Sequence, residues 1–169
     1  PLLQADAASL LFHEAWHVRQ QELGFPANTA VAPHLDQPED RYLLRLEWAA
    51  LAKALQRRGI AQRAHIEQAL AFRQRRIGGS REAAGAEALQ MRHEGIAAYT
   101  GAALSGAPVR LSLGALATGS KRPALGRSFA YASGPAWGLL LDRHRPGWRG
   151  IGEAVGLAEM VPFKPGRTV

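Results

Sequence analysis

Apolar residues recur every three or four positions through most of this 169-residue chain, in stretches that are separated by glycine and proline. One such stripe would lie along a single face of a helix and consists of Leu44, Trp48, Leu51 and Leu55. Alanine, leucine, arginine, glutamine and glutamate dominate these stretches, and all five residue types favour helix. The pattern predicts an all-α or nearly all-α fold, and the chain length predicts that residues 1–169 form one domain.

The breaks in this pattern predict where the helices begin and end. Ser80 suits the start of a helix, whereas Gly78 and the Pro146-Gly147 pair suit helix ends. Residues 105–127 are rich in glycine and proline, so we expect short irregular pieces or a small helix there. The tail beyond residue 162 is expected to be extended. Five helices are predicted, over residues 6–22, 41–59, 60–77, 81–104 and 128–143.

The absence of cysteine excludes disulfide scaffolds, thiol nucleophiles and every zinc site with a cysteine ligand. Any bound metal must therefore be held by histidine, aspartate or glutamate. No apolar run approaches the roughly 18 residues that cross a bilayer, so no transmembrane segment is expected. The chain begins at Pro1 rather than methionine, so we expect a piece of a longer chain or a processed protein. This start favours the bacterial periplasm or another extracytoplasmic site over the cytoplasm.

The net charge of +7 is concentrated near the C-terminus, where residues 106–169 carry nine lysines and arginines against three acidic residues. Such a basic C-terminal third can contact an anionic surface, although a solvated basic face is the simpler interpretation. The sequence contains no zinc-finger, RNP or KH motif, so nucleic acid is not an expected partner.

Residues 13–17 read His-Glu-Ala-Trp-His, an HExxH motif whose chemistry depends on the helical period. Histidines four positions apart project from one face of a helix, so His13 and His17 can bind one Zn²⁺. Glu14 can then take the proton of the attacking water. The motif predicts one zinc ion per chain with Glu14 as the general base. Because residues 10–12 are apolar, we expect this helix to be largely buried.

A catalytic zinc needs a third protein ligand, and the metzincin arrangement is excluded because Leu23 stands where its third histidine would be. Residues 93–99 read His-Glu-Gly-Ile-Ala-Ala-Tyr, which resembles the Asn-Glu-Gly-Phe-Ala-x-Tyr segment of aminopeptidase-N-like gluzincins. The glutamate of that segment is the third zinc ligand, so the resemblance implies Glu94 for this role. Asp36 remains the alternative, because it stands at the short spacing from the second histidine that the family uses.

A second segment, residues 131–136, reads Tyr-Ala-Ser-Gly-Pro-Ala and is similar to the Tyr-x-x-Gly-Ala segment of the same family. The resemblance implies that the Tyr131 hydroxyl stabilises the oxyanion of the tetrahedral intermediate, a role that needs a donor placed opposite the metal. A tyrosine packed beside Phe129 is the other interpretation.

The chain also departs from these enzymes. Far more residues separate His17 from Glu94 than separate the corresponding ligands in the family. Ala98 stands where thermolysin-like enzymes carry the aspartate that orients a zinc histidine. Glu47 is a candidate substitute, although a glutamate paired with arginine is the simpler interpretation. Few residues precede His13, so the β-sheet that aligns the substrate in familiar zincins is expected to be missing.

The motif and the resemblance together predict a zincin-like helical catalytic core that lacks most of the upstream β-sheet. The expected activity is zinc-dependent hydrolysis of a peptide or related amide bond, with a peptide or protein as substrate. The alternative is a non-catalytic zincin-like binding module for an anionic partner. Four arginines can recognise a carboxylate or phosphate near Tyr131, although a solvated face is the simpler interpretation: Arg110, Arg127, Arg143 and Arg145.

Overall fold

The computed structural model describes residues 2–23, 25, 31–150 and 156–166, with the side chains of 2–5 and 150 left aside. Within these ranges the chain is helical and contains no β-strand, which confirms the predicted all-α fold. None of the described helices combines the length and the hydropathy that crossing a membrane requires. The α-helices there are α1 (Leu2–Glu22), α2 (Pro38–Gln56), α3 (Gly59–Ile77), α4 (Arg81–Gln90), α5 (Ile96–Leu104), α6 (Pro108–Gly119) and α7 (Phe129–His144).

Local chemistry sets several of these helix boundaries. Helices α2 and α6 begin at prolines, whose missing N–H has no intrahelical partner in a first turn anyway. Gly78 ends α3 in the left-handed conformation, with φ 52°, and donates its N–H to the Gln74 carbonyl at 3.1 Å. The Ser80 hydroxyl caps α4 by accepting the N–H of Ala83 at 3.2 Å. These are the signals that the sequence predicted for both positions.

The observed helices differ from the predicted ones in three segments. Helix α1 begins earlier than expected, at Leu2, and ends at Glu22 as predicted. Gly24 and Pro26, which suit the stop of this helix, lie outside the described residues. The helical run over residues 81–104 contains a π-helical segment, Met91–Gly95, which holds an extra residue per turn and redirects the side chains around it. The small helix allowed for within residues 105–127 is α6.

Helix α5 packs between α1 and α7, and glycines bring the three backbones close together. A Cβ added to Gly134 of α7 would lie 2.2 Å from the carbonyl oxygen of Gly95 in the π segment. A Cβ added to Gly101 of α5 would lie 2.3 Å from the carbonyl oxygen of Ser9 in α1. Only glycine allows such contacts. They hold α1 against α5 and the π segment against α7.

The hydrophobic core lies where α7 meets the α2–α3 hairpin, whose helices are joined by two residues. Trp48 and Trp137 are both nearly inaccessible there, and Trp48 belongs to the apolar stripe that the sequence predicted for this helix face. Further large members of this core include Leu51, Leu55, Ile66, Phe129, Leu140 and Leu141.

A group of charged side chains is buried beside this core, and we call it the ion network: Glu47, Arg73, Arg76 and Glu87. Each of the four is at most 5 % exposed. Arg76 donates to Glu47 Oε2 at 2.6 Å and to Glu87 Oε1 at 2.8 Å, and Arg73 also donates to Glu87. Burial opposes ionisation of Glu87, but the two guanidinium groups outweigh it and hold the pKa of that carboxyl far below its usual range.

Glu47 belongs to this network rather than to a metal site. Its Oε1 accepts the indole N–H of Trp137 at 3.1 Å, so both of its oxygens are bonded. The hypothesis that Glu47 orients a zinc-binding histidine is therefore wrong, and the arginine-paired interpretation is confirmed. The reason is packing, because α3 presents Arg76 to the carboxylate from the neighbouring side of the hairpin.

Candidate metal centre

Three potential metal ligands converge between α1 and the π segment, and we call them the His-His-Glu cluster. His13 and His17 lie one turn apart on α1, with their Nε2 atoms 3.0 Å from each other. Glu94 brings its Oε2 to 3.5 Å from His13 Nε2 and 3.4 Å from His17 Nε2. The structure thus brings together the three side chains selected from the sequence, although the histidines and the glutamate lie far apart along the chain.

The spacing of these atoms suits a zinc ion. Tetrahedral zinc with bonds of about 2.0–2.1 Å separates its ligand atoms by roughly 3.3–3.4 Å. The three separations here run from 3.0 to 3.5 Å. Within the described residues Glu94 Oε2 is buried and has no hydrogen-bond partner. A buried carboxylate oxygen without a partner is costly, and a cation between it and the two imidazoles would remove that cost.

The protonation states of the cluster also suit a metal. Burial and the neighbouring His17 lower the pKa of His13, so its ring is neutral at neutral pH. Burial opposes ionisation of Glu94, but Tyr131, His17 and His93 outweigh it and lower the pKa of the Glu94 carboxyl. A neutral imidazole and an ionised carboxylate are the forms that bind a metal ion.

Two side chains that contact the cluster were missed by the sequence reasoning. Gln20 is 1 % exposed and places its Oε1 2.8 Å from His17 Nδ1. His93 stacks on His17, with ring centroids 4.9 Å apart, and its Nδ1 lies 3.2 Å from Glu94 Oε1. The sequence held one signal for Gln20, since a residue three positions after His17 shares its helix face.

Glu14 and Tyr131, the predicted catalytic residues, lie beside the cluster. Tyr131 stacks on His13, with ring centroids 5.6 Å apart and ring planes 16° apart. Partial burial and the neighbouring Glu94 carboxylate raise the pKa of Tyr131 to about 12, so its hydroxyl keeps its proton at neutral pH. Tyr131 is 39 % exposed, unlike the buried Phe129, and so is no core residue. Glu14 is exposed and lines the same cavity as Tyr131.

This cavity has a volume of about 660 Å³ and is bounded by α1, α5, α6 and α7. His13, Glu14 and Tyr131 contribute to its wall, so the cavity adjoins the cluster at His13. Asp6 and Arg110 add one charge of each sign to the lining. The volume lies in the range typical of sites that bind small molecules or peptide segments. Small side chains on α5 and α6 keep the cavity wide: Ala98, Ala102, Gly114 and Ala115.

Two of the four arginines that the sequence suggested for anion recognition instead bond to backbone carbonyls. Arg143 donates to the Leu55 carbonyl at 3.4 Å, and Arg145 donates to the Met160 carbonyl at 2.8 Å. Among the four arginines named from the sequence, Arg110 is therefore the one with a direct place in the described cavity.

Two expectations from the sequence differ from the structure. Asp36, the alternative third ligand, instead accepts the backbone N–H of Leu125 at 2.6 Å, in the manner of a loop-stabilising aspartate. The expected burial of the HExxH helix is wrong, because Leu10 and Leu11 are 63 % and 66 % exposed. Helix α1 packs on α5 along one side, which buries His13 and leaves the apolar residues before it accessible.

No protein family, curated protein or solved structure was found to match this chain. The functional assignment therefore depends on the residues of the site and their geometry.

Proposed function

We propose that this protein is a zinc-dependent metallopeptidase that hydrolyses peptide or related amide bonds. The observation that carries the proposal is the His-His-Glu cluster, in which a buried carboxylate oxygen without a hydrogen-bond partner among the described residues faces two imidazole nitrogens. His13 of the cluster lies in the wall of a cavity large enough for a peptide segment, and the HExxH glutamate lines that same cavity.

In the proposed reaction each side chain has one task. His13, His17 and Glu94 hold a zinc ion, which supplies the Lewis acidity that makes water reactive near neutral pH. Glu14 extends into the cavity and accepts the proton of the attacking water. Tyr131 donates its hydroxyl to the oxyanion that develops on the substrate carbonyl, and its raised pKa keeps that donor protonated.

The cavity also bears on how a substrate would be held. Its walls are helices, so a peptide would be positioned by side chains and not by pairing with the edge of a sheet. Asp6 and Arg110 can pair with charged groups of a peptide, and the small residues of α5 and α6 leave room for its side chains.

Metal analysis and a peptide-library digest test the proposal. Protein purified without chelators is expected to carry about one zinc ion per chain and to cleave peptides until the zinc is removed. Glu14→Gln is expected to keep the zinc and to lose cleavage by at least about 10²–10⁴-fold, because the general base is gone. Glu22→Gln makes the same change at an exposed position of α1 and should keep both properties.

Each other outcome has a defined meaning. A wild-type protein that neither contains zinc nor binds added zinc would refute the proposal. Tight zinc binding with every peptide left intact would replace it with the non-catalytic binding module.

A further inference from the structure

Gln20 bridges the two segments that carry the His-His-Glu cluster. It lies on α1 one turn after His17, and its side chain is 1 % exposed. Its Nε2 lies 3.2 Å from the Arg92 carbonyl oxygen and 3.0 Å from the His93 carbonyl oxygen, both in the π segment. Its Oε1 lies 2.8 Å from His17 Nδ1. One buried amide therefore contacts a proposed metal ligand and the backbone that presents another.

These contacts determine which way the amide points. Carbonyl oxygens only accept hydrogen bonds, so the end of Gln20 that faces Arg92 and His93 must be the NH₂ group. The end that faces His17 is consequently the carbonyl oxygen. Because that oxygen can only accept, His17 Nδ1 must carry a proton.

The orientation of Gln20 thereby fixes the tautomer of His17. A neutral imidazole has one N–H, so a proton on Nδ1 leaves Nε2 with a free lone pair. This Nε2 is the atom that faces His13 Nε2 and Glu94 Oε2. In the metal-free protein the 3.0 Å hydrogen bond between the two rings then runs from His13 Nε2–H to His17 Nε2.

The π segment explains why the Arg92 carbonyl is available to Gln20. An α-helix would direct the Ile96 N–H to the Arg92 carbonyl, but here that N–H donates to Met91. A carbonyl that loses its helical donor is free to accept another, and Gln20 supplies one. The same irregularity that changes the direction of the side chain at Glu94 thus creates the anchor for Gln20.

We propose that Gln20 is a positioning residue that holds His17 in the metal-binding tautomer and ties α1 to the segment carrying Glu94. The role rests on the proposed zinc binding, and it supplies the orienting partner that the aspartate position of thermolysin-like enzymes, occupied here by Ala98, does not provide. The expected consequence is a cluster aligned before the metal arrives.

The test compares Gln20→Met with Gln21→Met, because Gln21 is the exposed neighbour on the same helix and undergoes the same chemical change. Zinc dissociation constants, measured by competition with a chromophoric chelator, should rise roughly 10- to 100-fold in Gln20→Met and stay unchanged in Gln21→Met. In metal-free wild type, ¹⁵N NMR above the ordinary imidazole titration range should show His17 protonated at Nδ1 and His13 at Nε2. Gln20→Met should populate the other His17 tautomer.

The outcomes separate the role of Gln20 from the proposed function. Zinc binding in the wild type together with an unchanged dissociation constant in folded Gln20→Met overturns the role of Gln20 and leaves the metallopeptidase proposal standing. If Gln20→Met does not fold, the NMR measurement on wild type decides, and a His17 proton on Nε2 overturns the inference. Failure of the wild type to bind zinc overturns the proposed function itself.

Discussion

Glu87 in the ion network and Glu94 in the His-His-Glu cluster belong to the same helical run, yet their charges are balanced in different ways. Glu87 is fully buried and accepts hydrogen bonds from both Arg73 and Arg76. The Glu94 side chain is 21 % exposed, and its Oε2 faces two imidazole nitrogens without a hydrogen-bond partner among the described residues. The first glutamate is paired with guanidinium cations supplied by the chain, whereas the second faces imidazole nitrogens, which are potential metal ligands.

This difference separates a structural site from the proposed metal site. A buried carboxylate is tolerated only with a compensating charge, and in the ion network the chain itself provides it. In the cluster, Glu94 Oε2 and His17 Nε2 lie 3.4 Å apart beside His13, which lines the cavity, and this is the arrangement that we propose binds a cation from solution. The partners of a buried glutamate therefore indicate its function better than its burial does.

The largest loss of stability is expected from Arg76→Met, which removes the guanidinium that Glu47 and Glu87 share. We expect the free energy of unfolding to fall by about 3–5 kcal/mol, because two buried carboxylates lose a partner while the apolar volume is kept. Urea denaturation measures this loss, and added zinc should not restore it. Arg75→Met, at the exposed neighbouring position, should be close to wild type. Equal stability of the two variants would contradict the assigned role of the ion network.

At acidic pH, the free energies of unfolding of Arg76→Met and the wild type should become more similar. The arginines lower the pKa of Glu87 in the folded protein below its ordinary 4.5, so their stabilisation is complete above that pH and is lost as the pH falls through the folded pKa. In Arg76→Met much of that stabilisation is already gone. The gap in unfolding free energy should therefore shrink between neutral pH and pH values below about 4.5. A gap that stays constant would mean that the carboxylate charges do not cause it.

The helices and the paired histidines could be predicted because both depend on local chemistry. Gly78 and Ser80 set helix ends through local hydrogen bonds that do not depend on tertiary packing. The helical period alone puts His13 and His17 on one face. The choice of Glu94 depended on a family resemblance, because helical spacing cannot indicate which distant carboxylate will reach α1.

The remaining features depend on tertiary packing. The approach of Gly134 to Gly95, which brings Tyr131 beside Glu94, becomes visible only when α7 and the π segment are placed together. Gln20 has a role because two distant backbone carbonyls reach it. The apolar character of Leu10 and Leu11 predicted burial, but α1 has neighbours along only part of its surface, and those two side chains face solvent.

Zinc is expected to change the free energy of unfolding by less than the Arg76→Met substitution does. If the cluster binds the metal, zinc at about 100 times its dissociation constant should raise the unfolding free energy of the wild type by roughly 2.7 kcal/mol. His17→Ala should lose this gain while its metal-free stability changes much less than that of Arg76→Met. Thermal unfolding with and without zinc measures both, and His65→Ala on α3 serves as the control histidine. A zinc-dependent gain that survives in His17→Ala would place the metal elsewhere.

The smallest change in stability is expected from Glu94→Gln in the metal-free protein. This variant tests most strictly whether Glu94 differs from Glu87. The neutral amide has nearly the shape of the carboxylate and removes a charge whose Oε2 forms no hydrogen bond within the described residues. The unfolding free energy should therefore change by no more than about 1 kcal/mol, whereas Glu87→Gln removes a charge that two buried arginines require and should cost several times as much. Denaturation of both variants in chelator measures this contrast, and added zinc should stabilise Glu87→Gln but not Glu94→Gln. If Glu94→Gln proved as unstable as Glu87→Gln without metal, Glu94 would be a structural residue like Glu87, and its carboxylate would not need a bound cation.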